Sequence, residues 1–319
     1  LLGPTGFVAN VNPANPAAGF SPSQVDPEIA APITHVFVGG VEHELMPDFS
    51  VGVNLGRSSA TNAHWAPFVG LSSDHFAEYR PVVPAGVSLT TPVYRLASGV
   101  TLPPGNARML TNRDGYARNY WNVDVLATKR LTNRWMFRGF VTWQQHRESF
   151  DDPARSIQDP TPRLEFFPYG IASGLADGGI AVNLGGGEFV MHSTWLYSAA
   201  GLYELPWGVS VSGTLYGRQG SPVGEFLTVN RPDGLGLTRV FLNRDLDVSR
   251  YSSPHFLDLR VQKQLTLGRT RAIFAFDVFN TVNDASILRE FTDAATTTFG
   301  RPVEIVAPRL VRLGLQLRF

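Results

Sequence analysis

Arg309-Leu310-Val311-Arg312-Leu313-Gly314-Leu315-Gln316-Leu317-Arg318-Phe319 alternates without a break. Val311, Leu313, Leu315, Leu317 and Phe319 fall on one parity; Arg312, Gly314, Gln316 and Arg318 fall on the other. A period of two is a strand with one apolar and one polar face. A tilted strand crosses a bilayer in roughly 9–11 residues, the length of this run. The stretch therefore predicts a transmembrane β-barrel whose closing strand ends the chain.

The composition allows that reading. The chain has 319 residues, 43% hydrophobic and 17% charged, with 27 basic and 27 acidic groups. That is too apolar for disorder, and the zero net charge gives no sign of nucleic acid. No apolar run approaches 18 residues, so no transmembrane helix is expected, but barrel strands alternate and barely raise mean hydropathy. With no cysteine, disulfides, thiolate metal sites and cysteine nucleophiles are excluded. The chain opens Leu1-Leu2-Gly3-Pro4, without initiator Met, basic n-region or signal peptide. For an exported protein this reads as a fragment or a processed piece.

Residues 1–33 are rich in Pro, Asn, Ala and Gly and read as loop. Residues 34–319 hold four hairpins and the closing strand. Their turns are Met46-Pro47-Asp48, Leu131-Thr132-Asn133-Arg134, Leu205-Pro206-Trp207-Gly208 and Leu267-Gly268-Arg269-Thr270. Between hairpins lie long irregular connections, 58–118, 148–189, 220–254 and 283–307. Short and long connections alternate strictly, as tight periplasmic turns and long outer loops do in outer-membrane barrels. In the second hairpin Trp135 and Trp143 stand eight residues apart on one face, about 26 Å along an untilted strand. Two interfacial aromatic girdles are spaced on that scale. A sandwich strand with two core tryptophans would show the same pair.

Charge follows the alternation. Asp124, Arg138, Asp258, Arg260, Asp277, Arg312 and Arg318 occupy the polar parity. An Arg facing lipid at mid-bilayer costs roughly 2–4 kcal/mol, so this parity is expected to face the lumen, most of its charges simply solvated. Val123, Val141, Val211, Leu215, Leu259, Phe274, Phe276, Leu313 and Leu315 are expected to face lipid.

Several stretches resemble the C-terminal part of the barrel of TonB-dependent outer-membrane receptors, nearest the Oar-like group with its carboxypeptidase-regulatory-like domain. They are Thr128-Lys129-Arg130-Leu131-Thr132-Asn133-Arg134-Trp135-Met136, Gly201-Leu202-Tyr203-Glu204-Leu205-Pro206-Trp207-Gly208, Arg218-Gln219-Gly220-Ser221-Pro222, Phe256-Leu257-Asp258-Leu259-Arg260-Val261-Gln262-Lys263, Asp277-Val278-Phe279-Asn280-Thr281-Val282-Asn283 and Phe299-Gly300-Arg301-Pro302. The closing Arg312, Gly314, Leu317 and Phe319 are similar to the signal read by the barrel-assembly machinery. The resemblance implies a Gram-negative outer-membrane location and uptake of a scarce large solute of siderophore, glycan or peptide class. Its implied partners are outer-membrane lipid, a plug domain and the TonB energy-coupling protein. It also implies about 22 strands, within the range of such barrels, whereas about nine are counted here. The chain is thus expected to be a piece of a larger barrel. Alone, its sheet edges would leave backbone groups unpaired in hydrocarbon.

No HExxH, GxSxG or P-loop is present, and no enzyme activity, cofactor or metal is expected. Gly185-Gly186-Gly187 reads as flexible loop, since no GKS or GKT follows. Asp245 and Asp247 lack the Gly and distal Glu of an EF-type calcium loop. The other readings are a non-transporting barrel displaying adhesive loops and a membrane-anchored hydrolase. Substrate recognition is expected in the long loops, on no residue in particular.

Overall fold

The structure is a computed structural model describing residues 23–113, 115–150, 159–161, 163–166, 180–183, 187–189, 193–243 and 249–319. Helix is limited, among the described residues, to three single turns of 3-10 type. The fold is all-β and antiparallel in its main sheet, as the alternation predicts.

Nine long strands form that sheet in sequence order: β1 Ile33–Met46, β2 Phe49–Thr61, β3 Ala117–Thr132, β4 Trp135–Phe150, β5 Trp195–Leu205, β6 Val209–Arg218, β7 His255–Leu267, β8 Thr270–Phe279 and β9 Leu310–Arg318. Each pairs with its neighbours antiparallel. The short strand Gly187–Phe189 adds to the end of β4. Among the described residues β1 and β9 are each paired on one side only, so the sheet they form is open at both edges.

The four short turns close as their residues dictate. Asn133 (φ 53°) and Arg134 (φ 70°) both take positive φ, the type I′ pattern that matches strand twist. Gly268 (φ 63°) leads a two-residue turn between Leu267 and Thr270, where a first residue at positive φ suits glycine. Asp48 (φ 65°) follows Pro47, and its N–H donates to Glu44 Oε1 at 3.0 Å. All four lie at one end of the sheet; the long connections leave from the other.

Among the described residues, the first, third and fourth of these connections are not irregular, contrary to the expectation, while most of the second lies outside those residues. The first carries strands His64–Trp65, Phe76–Tyr79, Val93–Leu96 and Met109–Asn112. The third is largely a hairpin, Phe226–Arg231 with Gly236–Phe241, and the fourth pairs Ile287–Glu290 with Pro302–Ile305. The hydrophobic cluster sits here. Val93, Leu227, Val229, Val240, Leu242 and Ala294 pack together, drawn from the first, third and fourth connections. Val240 is 0% exposed, whereas Leu313 in β9 is 80% exposed.

Candidate functional site: a polar sheet face beneath a gathered loop cap

Register decides which side chains share a face. One row runs Trp135, Tyr203, Val211, Val261, Phe276, Leu313 across six strands. None of the nine residues expected to face lipid is buried, and Leu215, Leu259, Phe274, Phe276, Leu313 and Leu315 are exposed. Soluble monomers rarely leave so large an apolar face open. Aromatic side chains bound it. Trp121, Trp143, Trp195 and Tyr197 lie toward the long connections; Trp135, Tyr203 and Trp207 lie toward the short turns.

Near the loop end, Trp195, Tyr197 and His255 bring their rings within 6.0 Å of one another, nearly parallel. Tyr197 Oη and His255 Nδ1 are hydrogen-bonded at 2.8 Å. They meet over Gly217, where a Cβ would lie 2.5 Å from Tyr197 Cζ and 2.7 Å from His255 Nδ1. The absent side chain at 217 is what lets this aromatic tile lie flat.

Both lysines of the chain, Lys129 and Lys263, fall on the apolar parity at the turn end. Their ammonium groups are taken up at the turns: Lys129 Nζ donates to Arg130 O and Thr132 Oγ1 and lies 5.2 Å from the centre of the Trp135 ring, and Lys263 Nζ donates to Trp207 O. Burying the stem while sending the charge to a polar rim is how lysine behaves at an apolar boundary.

The opposite face carries the seven charged residues of the polar parity. Asp277, buried, lies between Arg312 (Nε to Oδ2, 2.9 Å) and Arg260 (Nε to Oδ1, 3.4 Å). Arg312 also stacks over Phe279 at 5.1 Å. Two cations beside one carboxylate are the pairing that a buried acidic side chain requires. Asp258, next along β7, accepts from Asn280 N at 2.8 Å. Asp124 accepts from Thr142 Oγ1 (2.6 Å) and Asn122 Nδ2 (2.7 Å), apart from that cluster. Arg138 stands exposed beside Thr128 and Ala200, and Arg318 opposite Arg271.

The residues expected to form the assembly signal divide between the faces. Arg312 and Gly314 lie on the polar side, Leu317 and Phe319 on the apolar side. A Cβ at Gly314 would meet Ala275 Cβ at an ordinary 3.7 Å, so the position is open. Phe319 lies beyond the last paired residue and is 95% exposed.

The loop cap is what sequence reasoning missed. A buried clasp on Arg231 ties three connections together. Its Nη1 donates to Asp159 Oδ2 and, at 3.2 Å, to Tyr94 O; its Nε lies 3.8 Å from Asp233 Oδ1. Thr161 exchanges hydrogen bonds with the Tyr94 backbone, and Leu96 N donates to Asp233 Oδ2 at 2.8 Å. The fourth connection joins through Asp293, which accepts from Thr228 Oγ1 at 2.7 Å. Removing one partner from such a buried pair costs about 3–5 kcal/mol, because the other charge is left uncompensated.

Two acids of the cap titrate abnormally. Burial, then the nearby Glu290 carboxylate, pushes Glu225 above the usual carboxylate range. Burial would raise Asp284 too, but donors from Ser286 and the His255 N–H outweigh it and hold that carboxyl low. No group of three potential metal ligands occurs among the described residues. Asp245, Asp247, Gly185 and Gly186 lie outside them, as do residues 1–22.

No family model matches the chain, and no curated protein matches it. Among solved structures, the outer membrane transporter YddB from Escherichia coli is similar, with TM-score 0.44 and 8% identity over 90% of this chain. The match covers 33% of that transporter, so the chain spans about a third of its length. A likeness this distant carries no argument about activity.

Proposed function

We propose that this chain is part of an outer-membrane β-barrel of the TonB-dependent receptor type, in which the apolar face meets lipid and the polar face lines the lumen. The observation that carries the reading is the exposed apolar face, bounded at both ends by aromatics. Lipid is the environment in which such a face is stable. The edges support a larger whole. With nine antiparallel strands, β1 and β9 run the same way. They cannot close on each other antiparallel, so an even-stranded barrel adds an odd number of further strands, about thirteen for a barrel of about 22.

The gathered loops form an outer cap that receives a scarce large solute. The Asp277 cluster holds water and the plug beneath it, and the TonB energy-coupling protein drives release inward. Leu317 and Phe319, with Arg312 and Gly314, form the address for the barrel-assembly machinery.

These 319 residues hold no cysteine, so topology is testable once any cysteine elsewhere in the parent protein is replaced. In cells expressing the parent protein, Val82→Cys, in the exposed part of the first connection, should label with a membrane-impermeant maleimide from outside. Arg134→Cys, in a short turn, should label only after lysis, and deleting Phe319 should lower surface labelling. Labelling of Arg134→Cys in intact cells would overturn the orientation, and unchanged labelling without Phe319 would overturn its role. Protonophore-insensitive solute accumulation would remove the energy-coupled part of the reading.

A further inference from the structure

We propose that the basic rim at the short-turn end of the sheet, from β3 to β9, binds the phosphate headgroups of anionic phospholipid in the leaflet at that end. The proposal rests on the membrane reading above. From Lys129 onward, the turn ends carry seven cations against the single acid Glu204. The acids Glu42, Glu44 and Asp48 belong to the first hairpin, which abuts the start of the rim through Arg130 N donating to Asp48 O at 2.8 Å but forms no ion pair with it among the described residues.

Five of the cations, Arg130, Arg134, Arg269, Arg271 and Arg318, are exposed, and none has an acidic partner among the described residues. Arg271 and Arg318 stand directly opposite each other in the β8–β9 ladder. A like-charge cross-strand pair is destabilising, and the contact available to Arg318 is Gln316 Oε1 at 3.5 Å. Such a pair is relieved by an anion from outside.

The position of the rim selects the anion. It begins just past Trp135, Tyr203 and Trp207, where the apolar face ends, and the two lysines send their charge toward the same level. Headgroup phosphates lie at that depth, guanidinium forks match phosphate oxygens, and clustered basic residues beside a bilayer are attracted to anionic lipid. Arg130, Arg134 and Arg269 are in or beside turns and reach outward; Arg271 and Arg318, on the polar parity, extend the positive field along the rim.

The test is flotation of the parent protein, which supplies the remaining strands, with vesicles of phosphatidylcholine, or of phosphatidylcholine with about one-third phosphatidylglycerol. Phosphatidylglycerol should raise the wild-type partition constant at least about tenfold, and about 0.5 M salt should remove the gain. The triple variant Arg130→Gln, Arg134→Gln, Arg269→Gln should gain less than about twofold, while the corresponding triple Lys variant keeps most of the gain. Far-UV circular dichroism would establish that each is folded.

An equal gain in wild type and the Gln variant overturns the rim as the site. Binding of soluble polyglutamate through these arginines, with no response to phosphatidylglycerol, makes the partner a protein and overturns the lipid proposal. Failure to float with either vesicle overturns the membrane reading itself, a result distinct from the other two.

Discussion

The main sheet and the loop cap are built from the same alternating strands, yet they resolve burial in opposite ways. In the cap hairpin, Leu227, Val229 and Val240 turn inward and meet side chains from other connections. In the sheet, Phe274, Phe276, Leu313 and Leu315 turn outward and touch only their neighbours in the same face, staying exposed. The cap makes its own apolar interior, while the sheet requires one from its surroundings. Alternation alone therefore reports a two-faced strand; what covers the apolar face decides whether it is a soluble core or a membrane wall.

That contrast breaks most sharply at Arg231. Arg231→Ala leaves Asp159 buried without its cation and should destabilise the cap by about 3–5 kcal/mol. Hydrogen exchange should then rise across Val93–Leu96 and Phe226–Phe241 while β5 to β9 stay protected. Equal loss of protection in the sheet would show that the two regions are one cooperative unit.

A matched pair of leucines gives the next effect. Leu227→Ala should cost the cap about 2–5 kcal/mol, the range for a fully buried leucine. Leu313→Ala in detergent micelles should cost much less, since its neighbours are replaceable detergent chains. Denaturant midpoints followed by a probe in each region would separate them, and equal costs would mean Leu313 is packed against protein.

How much of this was legible follows from the range of the contacts. The nine strands, four short turns and two faces are local patterns, and the parity read from β9 outward groups Asp124, Arg138, Asp258, Arg260, Asp277 and Arg318. That Asp277 would meet Arg260 and Arg312 required register, which parity does not supply. The cap was illegible for a related reason: Arg231 meets Asp159 and Tyr94 across 72 and 137 residues of chain. Its local signal was nonetheless present. Arg231-Pro232-Asp233-Gly234 is a turn sequence between two alternating segments. Arg231 shares the parity of Leu227 and Val229, so a charge in the buried phase marked a clasp.

The smallest effect is a pH difference confined to the cap. Because the folded-state pKa of Glu225 is raised, its ionised form opposes folding. That penalty is fully present above the folded pKa and vanishes below the ordinary carboxylate value of 4.5. Glu225→Gln should therefore stabilise the cap slightly at pH 7 and leave it unchanged near pH 4, read as the difference between the two melting profiles. A variant destabilised at pH 7 would show that the carboxylate is held by a favourable contact.

The central claim is that the apolar face of the sheet meets lipid. It is tested most directly by spin labels placed singly along β9, at positions 311 to 316 of the parent protein in lipid bilayers, with any cysteine elsewhere in it replaced. Collision with oxygen, which concentrates in hydrocarbon, should be high at 311, 313 and 315 and low at 312, 314 and 316, with a water-soluble nickel chelate showing the reverse. Uniform accessibility, or protection of the odd positions from both reagents, would mean that this face is covered by protein and that the sheet is not a membrane wall.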